Sequence, residues 1–293
     1  MDLATFLIQC LNALQYGLLL FLVASGLTLI FGIMGVINLA HGSFYMIGAY
    51  MAYALAPWVA AQLGGGFFAT LALGALLAVL LGIVLEWAFF SFLYDREHLQ
   101  QVLMTYGLIL VFEELRSMLV GDDVHSVAPP PLLAGSIPLG ELMTYPVYRL
   151  FVSALCLVLA AAMWWVLART RLGMTIRAGA GNREMVQTLG IDIRLLFRIV
   201  FAAGVALAVL AGMVAAPLSS VYPGMGGQVL IVCFVVVVIG GIGSVRGALL
   251  AALLIGVVDT FGKVLLPQAA GVGVYLLMAL ILLWKPDGLF RAG

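Results

Sequence analysis

The sequence predicts an all-α protein, a polytopic membrane helical bundle of about 8–9 transmembrane segments, some of them short or broken. Three observations predict it. Of 293 residues, 65% are hydrophobic and 9% charged, and the mean hydropathy is +1.22, whereas soluble domains carry about 25% charged residues. No Asp, Glu, Lys or Arg occurs from Leu3 to Leu85; at ~20 residues per crossing, such a run must fold back through the bilayer several times. The charges that do occur are clustered, and Arg169–Arg198 alone holds six of the thirteen basic residues. Residues 1–293 read as one transmembrane domain with no soluble domain of useful size.

Apolar runs between breakers give nine segments: Phe6–Ile33, Ser43–Ala61, Phe67–Phe90, Gln101–Val120, Tyr148–Leu167, Phe197–Ala216, Val229–Ile239, Ala248–Val264 and Val272–Leu283. The first is read as a retained span, because Met1–Leu20 has neither a basic n-region nor a small-residue cleavage site. The seventh is short for a full crossing and reads as a broken or re-entrant helix. Basic residues in short loops mark the cytoplasmic side. Arg96, the 169–198 loop, Arg246, Lys285 and Arg291 then share that side. The Pro-rich stretch 121–146, with Asp122, Asp123 and Glu141, falls on the extracytoplasmic side. Under this reading the N-terminus lies outside and the C-terminus in the cytoplasm. Gly204, Ala208 and Gly212 share a helix face, as do Ala252 and Gly256, and small residues at that spacing let helix backbones approach closely within one bundle.

Several functions are disfavoured. A net charge of zero argues against nucleic acid. Cys10, Cys156 and Cys233 stand alone in apolar stretches, and His41, His98 and His125 are scattered, so local spacing assembles no metal site. No HExxH or GxSxG pattern occurs. Gly240, Gly241, Gly243 and Gly247 bracket Ser244 and Arg246 without Walker A spacing, and Gly256–Val264 has Val264 where Ser or Thr is required. The glycine run reads as a structural turn between close-packed helices, and an energy source must come from outside the chain.

The basic loop has internal order. Asn182 is placed to cap a short helix, Arg183–Leu189, by accepting from an otherwise unpartnered backbone N–H. Gly190 suits the left-handed position that ends it. Ala178, Gly179, Ala180 and Gly181 leave the approach bare, so another protein surface can come close. A second constellation, Asn38, His41, Ser43 and Tyr45, interrupts two long apolar runs, and two readings stay open for it. It lines the translocation path near a cytoplasmic gate, or it is an interfacial turn with His41 in water. Among charges inside spans, Glu113 with Arg116 and Asp259 with Lys263 can pair along one helix face. Glu86 and Glu114 have no local partner; a neighbouring helix, a partner subunit or a wet cavity would have to supply one.

Four segments carry a resemblance. Met174–Asp192, MTIRAGAGNREMVQTLGID, resembles the ATPase-coupling loop of LivH-type permease subunits of branched-chain amino acid ABC importers. Gly26–Tyr50 resembles that family's N-terminal signature, Gly240–Ala248 its Gly-rich turn, and Lys285–Phe290 its C-terminal tail. The matches run in family order over nearly the whole chain. The resemblance implies the ABC importer permease fold and a non-catalytic subunit that forms a heterodimer with a second, LivM-like permease. It implies two cytosolic ABC ATPases that bind ATP and Mg, an extracytoplasmic substrate-binding protein, and the bacterial cytoplasmic (inner) membrane as location. No cofactor is expected in this chain. By carry-over, Arg177, Asn182, Arg183, Glu184, Met185, Leu189, Gly190 and Ile191 face the ATPase. Asn38, His41, Ser43, Tyr45 and Glu114 are candidates for the translocation path. Trp87 follows Glu86 where the family usually has a basic residue, and the pair Glu113–Glu114 is not a general feature. The competing class is an ion-coupled secondary transporter or channel working through Glu86, Glu113 and Glu114.

Overall fold

A computed structural model describes residues 3–64, 66–94, 96–138 and 144–290. Glu141, Arg291 and the side chains of Arg183 and Glu184 lie outside the described residues. Eleven α-helices are described: α1 Leu3–Met34, α2 His41–Leu63, α3 Phe67–Ala88, α4 His98–Val120, α5 Val147–Arg169, α6 Arg171–Gly181, α7 Arg183–Thr188, α8 Ile193–Ala215, α9 Met225–Gly240, α10 Val245–Leu265 and α11 Ala270–Trp284. Each of the nine apolar segments corresponds to one of them. Six helices (α1, α2, α3, α5, α8 and α10) are long and apolar enough to cross a membrane. At 23 residues α4 has the length, but Glu113, Glu114 and Arg116 dilute its apolar character. The 16 residues of α9 span only ~24 Å at 1.5 Å per residue, less than a bilayer core.

Among the described residues the paired strands lie in the 121–146 stretch. There β1 Ser136–Pro138 pairs antiparallel with β2 Thr144–Pro146. Each strand ends in a proline, Pro138 and Pro146, which suits short edge strands, where a missing N–H costs no ladder bond.

The centre of the bundle is α1. Its Leu18, Phe21, Leu22, Leu27 and Ile30 are buried almost completely, and α8, α9, α10 and α5 all pack on it. Apolar side chains alone do not explain this in lipid, because lipid tails are as apolar as leucine; close backbone packing has to drive association. Ala13 and Gly17 of α1 meet Ala252 and Gly256 of α10. A Cβ on Gly17 would lie 2.9 Å from the Ala252 carbonyl oxygen, and one on Gly256 2.5 Å from that of Ala13. The small-residue face of α8 serves two neighbours: Gly204 packs on Gly26 and Ile30 of α1, and Gly212 on Tyr45 of α2.

Contacts between distant segments sort the connections to two ends of the bundle. At one end the Ile37 amide donates to the Gln101 side chain (3.3 Å), Gly32 abuts Gly243, and Arg198 pairs with Glu86. Those contacts gather Arg96, the 169–198 segment, Arg246 and Lys285 on one side. At the other end His125 and Val221 exchange backbone hydrogen bonds of 2.8 Å, and Arg116 holds Asp122.

Candidate functional site

The segment 169–198 is helical over most of its length rather than an open loop. Three helix starts follow in close succession, each with a side-chain cap. Thr170 accepts from the Gly173 amide (3.2 Å), Asn182 from Met185 (3.0 Å), and Asp192 from Arg194 and Leu195 (2.9 and 3.1 Å). Ala178–Gly181, expected as a bare approach, form the last turn of α6. The short helix α7 ends one residue earlier than its apolar pattern suggests. Its end is closed by Gly190 at φ 81°, with Gly190 N–H donating to the Gln187 carbonyl (2.9 Å) and Ile191 N–H to that of Val186 (3.3 Å). That pair of bonds is a Schellman closure.

Capping fixes which face of α7 shows. Val186 is buried, while Met185 and Leu189 are 58% and 72% exposed, and Ile191 is exposed beside them. Met185 on this six-residue helix and Leu189 at its C-terminal cap are thus two large apolar side chains held outside the bundle. Arg177 is exposed, yet its guanidinium donates to the Leu167 carbonyl at the end of α5, so it braces α6 against α5. Asn182→Ala should loosen α7 by about 1 kcal/mol. The check is faster amide hydrogen exchange across 183–191, with exchange in α8 unchanged.

At the α1–α2 junction the structure brings together Asn38, His41, Ser43 and Tyr45, all buried. His41 Nε2 donates to the Val23 carbonyl (2.9 Å), and its ring lies edge-on to Phe44. The interfacial reading, with His41 in water, is therefore overturned: the imidazole is enclosed between α1 and α2. Both polar atoms of the Asn38 side chain, and His41 Nδ1, are buried without a hydrogen-bond partner among the described residues. Glu114 stands apart from this group on the exposed face of α4.

Glu86 has the partner its own helix lacks. Arg198 Nε donates to its Oε2 (2.7 Å) and Tyr94 Oη to its Oε1 (2.5 Å). The cation comes from α8, 112 residues away in sequence, where Trp87 leaves none beside it. Glu113 binds Arg116 (3.2 Å), which also reaches Asp122 (2.9 Å) and the Gly121 carbonyl (2.7 Å). The hydrogen bond from Arg116 holds the Asp122 carboxyl below its usual range. Asp259 and Lys263 neutralise each other at 2.6 Å. Glu86 and Glu113 thus each have an ion-pair partner within the bundle.

The glycine-rich turn joins three separated segments. Gly240 and Gly247 stand in mutual backbone contact, where α9 and α10 meet. Ser244 caps α10 by accepting from Gly247 (3.1 Å). At φ 96°, Gly241 adopts a conformation only glycine holds easily, and it lies directly against the Phe290 carbonyl. The tail is stitched there by Leu289 and Phe290 N–H donating to Ile239 and Gly240 (2.8 and 3.2 Å).

Between α1, α2 and α9 lies a cavity of about 180 Å³, open on one side. Tyr16, Leu20 and Val23 line it from α1, Tyr45 from α2, and Gln228 and Val232 from α9. Of the four junction residues only Tyr45 reaches it. Sequence reading missed Tyr16 and Gln228; their one signal was a polar group within an apolar run.

Six helices long and apolar enough to cross a membrane, packed around α1, define a multi-pass membrane protein. Comparison with known proteins gives the family. Residues 9–284 match the family described as branched-chain amino acid transport system / permease component. The chain is 31% identical to the permease protein BraD of a high-affinity branched-chain amino acid transport system of Pseudomonas aeruginosa, covering 97% of this chain and 95% of BraD. It is 28% identical to the corresponding LivH permease protein of Escherichia coli, with the same coverage. It is 27% identical to a probable LivH of Methanocaldococcus jannaschii, over 89% and 82% of the two chains. No solved structure matches. The chain belongs to this family: it is a multi-pass, non-catalytic permease component of an ABC importer.

Proposed function

We propose that the protein carries branched-chain amino acids, or related small substrates, inward across the bacterial cytoplasmic membrane. In this reading it pairs with a second, LivM-like permease. Two ABC ATPases, which bind ATP and Mg, dock on the coupling segment, and an extracytoplasmic binding protein delivers the substrate. The basic end of the bundle is then cytoplasmic, in accord with the positive-inside rule. ATP-driven approach of the ATPases moves the capped helices, which rock the two membrane halves between inward- and outward-open states.

The observation that carries the ATPase assignment is the exposed pair of Met185 on α7 and Leu189 at its C-terminal cap, 58% and 72% exposed, where the helix is closed at both ends. A rigid helix end pushes as a unit, where a flexible loop would absorb the stroke. Substituting both residues, Met185→Asp with Leu189→Asp, should leave membrane insertion intact, reduce recovery of the ATPases with the purified chain, and lower leucine uptake at least ten-fold. Uptake and ATPase recovery both unchanged would overturn the docking assignment. Purification of the intact chain from its membrane with no ATPase attached, together with uptake that survives ATP depletion, would overturn the importer assembly.

A further inference from the structure

Four of the five tryptophans lie at the basic end of the bundle. Trp87 is the last residue but one of α3, Trp164 and Trp165 lie near the end of α5, and Trp284 closes α11. All four are exposed. Exposed tryptophan at the ends of spanning helices marks the depth of the membrane–water boundary. Charges one turn further out then stand among the lipid headgroups.

Along α5 the exposed residues Val158, Ala161, Trp165 and Arg169 recur at intervals of three and four, so they form one stripe. The stripe is apolar until its last residue, the arginine that ends the helix. The bundle takes the other side of α5 through the buried Tyr148, Val152 and Cys156, and no residue of α5 lines the cavity between α1, α2 and α9. Two residues after Arg169, α6 begins at Arg171, which is also exposed. Arg116, Arg198 and Lys263 each have a carboxylate partner; among the described residues Arg169 and Arg171 have none.

The corner that presents these two arginines is fixed. Thr170 Oγ1 donates to the Val166 carbonyl (2.6 Å) and accepts from the Gly173 amide (3.2 Å). Gly173 lies so close under the end of α5 that a Cβ would overlap the Leu167 carbonyl oxygen. That same carbonyl engages the neighbouring Arg177. Arg169 and Arg171 therefore flank a pinned residue at headgroup depth, with their charges uncompensated. A guanidinium stays charged at any physiological pH and matches phosphate oxygens two at a time.

We propose that the α5–α6 corner binds an anionic phospholipid, its phosphate held by Arg169 and Arg171 and an acyl chain lying along Val158, Ala161 and Trp165. Basic groups beside a spanning helix draw anionic lipid in this way. Only Asn182 separates α6 from α7, so the bound lipid anchors the base from which Met185 and Leu189 project. The inference goes beyond the importer reading, and its test does not require that reading.

The full-length protein, with whatever subunits accompany it, is purified in mild detergent and incubated with phosphatidylglycerol or phosphatidylcholine. Lipid retained after washing is measured by native mass spectrometry. The wild type should retain phosphatidylglycerol in preference to phosphatidylcholine. Arg169→Gln with Arg171→Gln should cut retained phosphatidylglycerol at least five-fold and leave phosphatidylcholine unchanged. Arg246→Gln, at an exposed arginine of the same end outside the corner, should change neither. Should the double variant fail to fold, Arg171→Gln alone carries the test with an expected two-fold fall. Unchanged phosphatidylglycerol in the glutamine variants, or an equal fall in Arg246→Gln, overturns the site. Glutamine variants that keep their lipid but lose a co-purifying subunit overturn it too, because the arginines then serve a protein. The importer reading is untouched by any of these outcomes, since it is tested by ATPase recovery and leucine uptake.

Discussion

Gly212→Val is expected to separate α2 from α8 and to abolish a folded, accumulating protein. A Cβ at 212 would overlap the Tyr45 carbonyl oxygen and stand 2.9 Å from the Tyr45 carbonyl carbon and 3.0 Å from the Ala49 nitrogen. These obstacles are backbone atoms in the middle of a helix, so no rotamer change relieves them. Three residues before it, Val209 sits directly against Gly48. The two contacts form one continuous seam, and α2 cannot tilt away from one without losing the other. Overpacking a core commonly costs about 1–3 kcal/mol, more where the neighbours cannot yield. Here the expected cost is about 3 kcal/mol or more, a large part of the total stability of a typical domain. The measurement is the thermal midpoint in detergent together with the amount in the membrane. Gly107→Ala is the control: it lies in α4 with no neighbour within 4 Å of its Cβ position. It should be neutral or stabilising by up to about 1 kcal/mol. Equal behaviour of the two variants would show that α2 and α8 do not touch as described.

The second large effect concerns Arg198→Met. It leaves the Glu86 carboxyl, 1% exposed at its side chain, without the cation that Arg198 supplies at 2.7 Å. The Arg198 side chain is 36% exposed, so solvent screens part of the pair, but Glu86 itself is enclosed, and a clear fall in the thermal midpoint is expected because the remaining carboxyl loses its partner. The double variant Glu86→Gln with Arg198→Met should recover most of that loss. It removes the stranded charge yet keeps a carbonyl oxygen for Tyr94. A double variant no more stable than Arg198→Met alone would show that the lesion is lost packing of the arginine rather than a stranded carboxylate.

The parts of the site legible in the sequence are those governed by local rules. Asn182 and Gly190 announce the ends of α7 because a cap needs one oxygen within three residues, and a left-handed turn needs a residue without Cβ. Thr170 and Asp192 obey the same rule; their caps were there to be read, and reading them would have shown that 169–198 is helical. Glu113–Arg116 and Asp259–Lys263 are equally local, three and four residues apart. The partner of Glu86 was not legible, because nothing near residue 86 specifies Arg198. The sequence leaves His41 open between lining a path and lying in an interfacial turn, and only the fold encloses it between α1 and α2.

By itself, then, the sequence determined that this chain lives in a bilayer, where its nine long apolar helices begin and end to within a few residues, and which end of the bundle carries most of the arginines. Hydrophobic length and charge placement are properties of a segment against its solvent, and they do not depend on neighbours. The tertiary structure alone decided that α1 is the core, that Glu86 pairs with α8, and that Tyr16, Tyr45 and Gln228 face one cavity. Those depend on which backbones approach within contact of which, and in lipid that choice is made by shape at small residues far apart in the chain.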